Sequence, residues 1–133
     1  MTTEKLIINT DGASRHNPGP AAIGATIKDE RGRLLASISR RIGRATNNQA
    51  EYQALIAALE KAIDLGARRI DIRLDSELVV KQVKGRYRVK NDALRPLYLK
   101  VGELLSQLEG FTISSIPREQ NAEADRLANK ALQ

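Results

Sequence analysis

The sequence predicts an α/β domain on a five-stranded sheet that contains both antiparallel and parallel pairs. Two observations carry this. The first third of the chain holds three apolar or alternating runs separated by turn signals, the pattern of hairpins. The later runs alternate with segments of helical periodicity, the pattern of crossovers. Hairpins make antiparallel neighbours and crossovers make parallel ones, so the order β-β-β-α-β-α-α-β-α requires a mixed sheet.

Strands near residues 5–11, 22–29 and 34–43 open the chain, with Asn17-Pro18-Gly19-Pro20 turning between the first two and Glu30-Arg31-Gly32-Arg33 between the next two. Asn48 to Leu65 sets Leu55, Ile56, Leu59 and Ile63 on one helical face among many alanines, and Gly66 is its C-terminal stop. Residues 69–75 alternate so that Ile70, Ile72 and Leu74 share one face of a strand. Helices follow at 76–84 and about 93–109, broken at Gly85. A strand at 111–116 leads to a last helix from Asn121 to Leu132, with Asn121 as candidate cap and Leu127 and Leu132 turned to the core. Tyr52 and Tyr98 are expected in the core as well.

With 133 residues and 41% hydrophobic content, the chain fits one domain, residues 1–133, with one core. No apolar run approaches the roughly 18 residues of a membrane span, and the N-terminus lacks the basic-then-apolar pattern of a secretory signal. The expectation is a cytoplasmic protein with no membrane partner. The absence of cysteine excludes a disulfide framework and thiolate ligation, and a single histidine is too few for the usual zinc site. Any metal must be held by oxygen, which favours Mg²⁺ or Mn²⁺. A formal charge of +6 implies an anionic macromolecular partner. Lys81, Lys84, Arg86, Arg88, Lys90, Arg95 and Lys100 cluster between Ser76 and Lys100, opposed by Glu77 and Asp92. Such a run is ordinarily a solvated face; beside an acidic metal site it reads as a flank that grips phosphates.

Four carboxylates supply that acidic site. Asp11 and Asp75 close apolar or alternating runs, and Glu51 and Asp125 open helices. Laying 70–75 parallel to the first strand sets Asp11 beside Asp75, in the crevice outside strand carboxyl ends where α/β sheets bind ligands. Each acid also has a local explanation. Asn48-Gln49-Ala50-Glu51 matches a capping box, Asp75 can cap the next helix, Asp125 suits the macrodipole of a first turn, and Asp11 before Gly12 can begin a turn. Together they are harder to dismiss. Two unit charges about 4 Å apart repel by about 4 kcal/mol at an effective dielectric of 20, so a cluster of four calls for cations. A pair of divalent ions would remove the repulsion and also activate water and stabilise a leaving oxygen.

Thr10-Asp11-Gly12-Ala13-Ser14 with Asn17-Pro18-Gly19-Pro20, then Thr46-Asn47-Asn48-Gln49-Ala50-Glu51, Asp75-Ser76 and Asn121-Ala122-Glu123-Ala124-Asp125-Arg126-Leu127-Ala128 resemble the motifs of ribonuclease H of type 1. The resemblance runs nearly end to end and in order. It implies a ribonuclease H-like fold, a five-stranded mixed sheet flanked by helices on both faces. It also implies hydrolysis of the RNA strand of an RNA/DNA hybrid to 5′-phosphate and 3′-hydroxyl ends, with two Mg²⁺ or Mn²⁺ ions per site. By the resemblance, Asp11, Glu51, Asp75 and Asp125 hold the metal, Asp11 bridging both ions; Asn17, Asn47 and Asn48 contact RNA; Thr46 and Asn91 form a phosphate pocket for the DNA strand. Amides suit the RNA contacts because they donate to and accept from a 2′-hydroxyl.

The chain departs from the family in the loop before the last helix, Ile116-Pro117-Arg118-Glu119-Gln120, which lacks the usual histidine. Arg118 is the nearest basic group there; it cannot act as a base near neutral pH, but it can bind phosphate or stabilise leaving-group charge. His16 reads as a turn residue near substrate, and Glu77 stands where many relatives carry an amide that touches RNA. The tryptophan-bearing basic handle is reduced to a short stretch with Tyr87, which leaves grip to scattered Lys and Arg. The expected protein is a monomer. Two rivals remain open at this stage, a binding module without turnover and an oxygen-ligated phosphodiesterase with another substrate.

Overall fold

The structure, a computed structural model, describes residues 5–133. Strands β1 (Lys5–Ser14), β2 (Gly19–Asp29), β3 (Leu34–Ala45), β4 (Arg69–Leu74) and β5 (Gly110–Ser115) form one sheet in the order β3-β2-β1-β4-β5. The helices are α1 (Asn47–Asp64), α2 (Glu77–Val83), α3 (Arg95–Leu105) and α4 (Ala122–Ala131), with one 3₁₀ turn at Arg118–Asn121 before α4. The β1–β2 and β2–β3 pairs are antiparallel, and β1–β4 and β4–β5 are parallel, as the element order requires. No helix among the described residues is long and apolar enough to cross a membrane.

The strands of the first third run further than their local patterns indicate, because the partner strand and not the apolar run decides where pairing stops. β1 pairs with β4 only as far as Thr10 with Leu74, but it continues against β2 to Ser14 with Ala21. Asp11 therefore lies inside β1 and not at its end. It is the first β1 residue beyond the β4 ladder, so the crevice opens there. α3 stops at Leu105, short of the expected 109, because the chain must turn into β5; the Glu109 N–H donates to the Arg68 carbonyl at 2.8 Å.

One face of the sheet carries the main core. Leu6, Ile8, Ile27, Ile70, Ile72 and Leu74 are fully buried against Tyr52, Leu55 and Leu59 of α1 and Val101 of α3. α1 buries its alanines at 50, 54, 58 and 62 along with Leu55 and Leu59, whereas Ile56 and Ile63, expected on that face, are only half-buried. Small side chains let the helix axis approach the sheet, and the buried stripe centres on them. Tyr52 is buried and donates its hydroxyl to Gln82 Oε1 at 2.6 Å, tying α1 to α2; Tyr98 is half-buried. Gly66 and Gly85 end α1 and α2 with φ of 94° and 79°, the left-handed conformation glycine adopts without penalty.

α4 packs on the opposite face. Gly24 pairs with Asp11, the neighbour of Gly12, so Gly24 and Gly12 face opposite ways. A Cβ on Gly12 would run into the Ala50 and Glu51 backbone of α1, and one on Gly24 into the Ala124 and Ala128 backbone of α4. Two helices thus reach the sheet beside Asp11 through two missing side chains. Leu132 is buried as expected and Leu127 is half-buried.

Gly24→Ala should destabilise the fold by about 1–3 kcal/mol or more, since the contact is with backbone that cannot rotate away. Gly102→Ala, on the exposed side of α3 with nothing within 4 Å of the added carbon, should stabilise it by about 1 kcal/mol. Chemical denaturation of both variants checks the contrast, and equal effects would contradict the close approach of α4.

Candidate active site

The capping roles open to Glu51 and Asp75 are filled by other residues. Thr46, not Asn48, caps α1: its Oγ1 accepts the Gln49 N–H at 3.1 Å, and Gln49 Oε1 accepts the Thr46 N–H at 2.8 Å. That capping box leaves Glu51 free, and its carboxylate accepts the Gly12 N–H at 2.6 Å. Ser76, not Asp75, caps α2, with its Oγ accepting the Val79 N–H at 3.3 Å. Asp125 does lie in the first turn of α4, where Asn129 Nδ2 donates to its Oδ1 at 3.1 Å and to its carbonyl at 2.9 Å.

Oxygen atoms of Asp11, Glu51 and Asp75 all lie within 4.8 Å of one another. Asp11 is 6% exposed, Glu51 8%, and Asp75 is half-buried. Asp125 is not part of this mutual 4.8 Å set, but it hydrogen-bonds to Asp11 and its charge bears on both Asp11 and Glu51. The expected convergence of four acids is thus a tight group of three with a flanking fourth.

Burial pushes Asp11 up to about 9, helped by the charges of Glu51 and Asp75 and by the hydrogen bond and charge of Asp125. Burial also pushes Glu51 up to about 7; the Gly12 N–H pulls it down, Asp75 raises it, Asp11 lowers it by hydrogen bonding, and Asp125 raises it. At neutral pH a proton on Asp11 therefore relieves the repulsion that a cation would otherwise relieve. An all-oxygen donor set of this size fits a hard divalent ion such as Mg²⁺ or Mn²⁺.

The expected RNA contacts lie where β1, β2 and α1 meet. Asn17 Oδ1 accepts the Asn47 N–H at 3.0 Å, and Asn47 Oδ1 accepts the Ser14 N–H at 3.1 Å. Ser14 Oγ donates to the Ala45 carbonyl at 2.9 Å and to that of His16, an exposed turn residue. Asn48 is exposed in the first turn of α1. Asn91 has a structural duty, its Oδ1 accepting the N–H groups of Ala93 and Leu94 at 2.8 and 3.2 Å at the entry to α3. Arg118 is 79% exposed, with Nη2 3.7 Å from Asp125 Oδ1. Glu77 is an exposed first-turn residue of α2.

Sequence reasoning missed the Gly12 N–H as the group that fixes Glu51. It also assigned Asn121 to capping, yet the side chain makes no cap bond and is spent on β1 instead. No local signal reveals either, because the partners are 39 and more than 100 residues away.

Without divalent cation, thermal stability should fall as pH rises from about 5 to about 9. Asp11 and Glu51 start from ordinary values of 3.8 and 4.5 and rise in the folded protein, so across this window the folded state binds more protons than the unfolded one. Raising pH then favours unfolding. Melting curves should show the decline flattened in Asp11→Asn; a wild-type curve that is level or rising over the window would contradict the buried cluster.

Residues 9–131 match the family described as reverse transcriptase-like. The chain is 49% identical over 122 residues to ribonuclease HI of Halobacterium salinarum, covering 92% of this chain and 61% of that protein. The crystal structure of ribonuclease H1 from that archaeon matches with a TM-score of 0.94 at 47% identity, covering 96% of this chain and 97% of the other. The bifunctional protein Rv2228c of Mycobacterium tuberculosis is 46% identical over 129 residues, and this chain spans 35% of its length. LC11-RNase H1, solved in complex with an RNA/DNA hybrid, matches with a TM-score of 0.90 at 44% identity over 95% of each chain. Sequence, fold and the order of the acids agree: the chain belongs to the reverse transcriptase-like family and, within it, to ribonuclease H of type 1.

Proposed function

We propose that the chain is an endoribonuclease that hydrolyses the RNA strand of RNA/DNA hybrids, leaving 5′-phosphate and 3′-hydroxyl ends, and that it works as a single monomeric domain in the cytoplasm. The observation that carries this reading is the trio of buried or half-buried carboxylates within 4.8 Å at the open end of the β1–β4 ladder. Asp11, Glu51, Asp75 and Asp125 would hold two ions, Mg²⁺ or Mn²⁺. When bound, such ions supply an activated water for in-line attack and neutralise charge on the departing 3′ oxygen. No nucleophilic side chain is needed.

The remaining residues bind and orient. Asn17 and Asn47 each have the side-chain oxygen committed to a backbone N–H, which leaves their amide donors for RNA 2′-hydroxyls; Asn48 offers both donor and acceptor. The same division applies at the DNA strand. Thr46 Oγ1 and Asn91 Oδ1 accept within the protein, so the Thr46 hydroxyl proton and the Asn91 amide protons remain for a phosphate, which takes only donors. Arg118, with Nη2 3.7 Å from Asp125 Oδ1, supplies positive charge to the leaving side.

The basic flank forms a cavity of about 540 Å³ lined by Tyr87, Arg88, Val89, Lys90, Arg95, Tyr98 and Leu99. Lys81 Nζ lies 5.1 Å from the Tyr87 ring centre, a cation–π contact that holds this half-exposed ring. In this reading the flank follows a phosphate backbone, and affinity falls steeply with salt.

Cleavage of end-labelled RNA/DNA, RNA/RNA and DNA/DNA duplexes tests the reading. Internal cuts in hybrid RNA should require Mg²⁺ or Mn²⁺, disappear with chelator and be abolished in Asp11→Asn. Hybrid binding without cleavage in either metal would overturn it, and equal cutting of RNA/RNA would overturn the substrate assignment. For the flank, Arg88→Ala should weaken hybrid binding and reduce the slope of log affinity against log salt by about 0.9 per lost phosphate contact. An unchanged slope would remove Arg88 from the interface.

A further inference from the structure

Asn121 is 1% exposed, a depth at which a polar side chain needs partners. It stands at the N-cap position of α4, where asparagine ordinarily accepts from the amides of its own helix, yet it makes no such bond. Its Nδ2 donates to the Thr10 carbonyl at 2.9 Å, and its Oδ1 accepts from Asn9 Nδ2 at 3.2 Å. Thr10 immediately precedes Asp11 and is the last β1 residue paired with β4; Asn121 precedes Asp125 by one helical turn. The amide therefore joins the backbone beneath the first acid to the helical turn that carries the fourth.

The rest of α4 is anchored elsewhere. Arg15 Nη2 donates to the Leu132 carbonyl at 2.6 Å and Arg41 Nε to that of Ala131 at 2.8 Å, both at the far end of the helix. Ser39 Oγ donates to the Leu127 carbonyl at 2.6 Å midway along it. At the acid-bearing end the other side-chain ties are the Lys28–Glu123 pair, which is worth little in solvent, and the hydrogen bond between Asp125 and Asp11 themselves. The Gly24 backbone contact sets how near α4 comes to the sheet, and the buried clasp joins its first turn to the Thr10 carbonyl.

We propose that Asn121 is a positioning residue that fixes the separation of Asp125 from Asp11, and through it the fourth carboxylate's share in the reaction. This rests on the endoribonuclease reading. A capping role and a clasping role make opposite demands. Asparagine, aspartate and serine cap about equally well, but only asparagine here can donate to the Thr10 carbonyl; aspartate has no donor and serine is too short.

The test compares wild type, Asn121→Ser, Asn121→Asp, Asp125→Asn, the Asn121→Ser/Asp125→Asn double variant and Leu105→Ala, a core truncation in α3 remote from the site. All are assayed on hybrid with Mg²⁺ well below their melting temperatures. Both Asn121 variants should lose about 10- to 100-fold in kcat, the cost of a misplacement near 1 Å, with little change in KM. Leu105→Ala should keep its kcat despite its lower melting temperature. Asp125→Asn should cost much less in the Asn121→Ser background than in wild type, since the two act on one function. The readout independent of turnover is the rise in melting temperature on adding Mg²⁺ without substrate, which should be smaller in Asn121→Ser than in wild type. Wild-type kcat in Asn121→Ser, additive losses in the double variant, or an equal kcat loss in Leu105→Ala would overturn the assignment. A wild type that fails to cut hybrid would refute the endoribonuclease reading itself; equal Mg²⁺-induced rises in wild type and Asn121→Ser would then overturn the clasp.

Discussion

The active end of this domain depends on one close approach, the first turn of α1 against β1 at Gly12. With no side chain there, the backbone at Ala50 and Glu51 comes into contact with the strand, and the Gly12 N–H reaches the Glu51 carboxylate at 2.6 Å. That bond holds a carboxylate in a place its charge opposes, since burial and Asp75 both push Glu51 towards its neutral form. On the other face, Gly24 admits the backbone of α4 beside its cross-strand partner Asp11. Asp11 thus sits where two helices are brought in on backbone contacts, each delivering one acid, while the parallel β4 delivers Asp75.

The arrangement is costly to folding. Three carboxylates share a small volume, two of them nearly removed from water, and Thr10 Oγ1 at the same end of β1 is buried with no hydrogen-bond partner among the described residues. An unsatisfied buried polar group costs about 1–3 kcal/mol. These costs fall at one end of a sheet whose other surface is sealed by Leu6, Ile8, Ile70, Ile72 and the α1 side chains. Local rules are broken at the site and kept in the core, the distribution expected where stability is given up for chemistry.

The parallel placement of β4 on β1 was legible because a helix, α1, stands between β3 and β4 and makes that connection a crossover, and the placement sets Asp11 beside Asp75. What stayed hidden depended on distant partners. Thr46-Asn47-Asn48-Gln49 and Asn48-Gln49-Ala50-Glu51 both satisfy a capping pattern, and the choice between them rests on Glu51 being claimed by Gly12, 39 residues earlier. The length of β1 is decided by β2, and the buried stripe of α1 by how near small alanines let it come. Asn121 has the residue type of a cap and the position of a cap, but a backbone carbonyl on β1 takes its donor. The site residues carried over by family motif were therefore easier to name than the contacts that place them.

The central claim is that protons and divalent cations compete for one buried set of carboxylates. Calorimetric titration of the substrate-free protein with Mg²⁺ at pH 7.5, in buffers of different ionisation enthalpy, counts the protons released on binding. With Asp11 raised to about 9, binding should release about one proton per protein. Release of none would mean that the cluster is already ionised before the metal arrives, and would contradict the account.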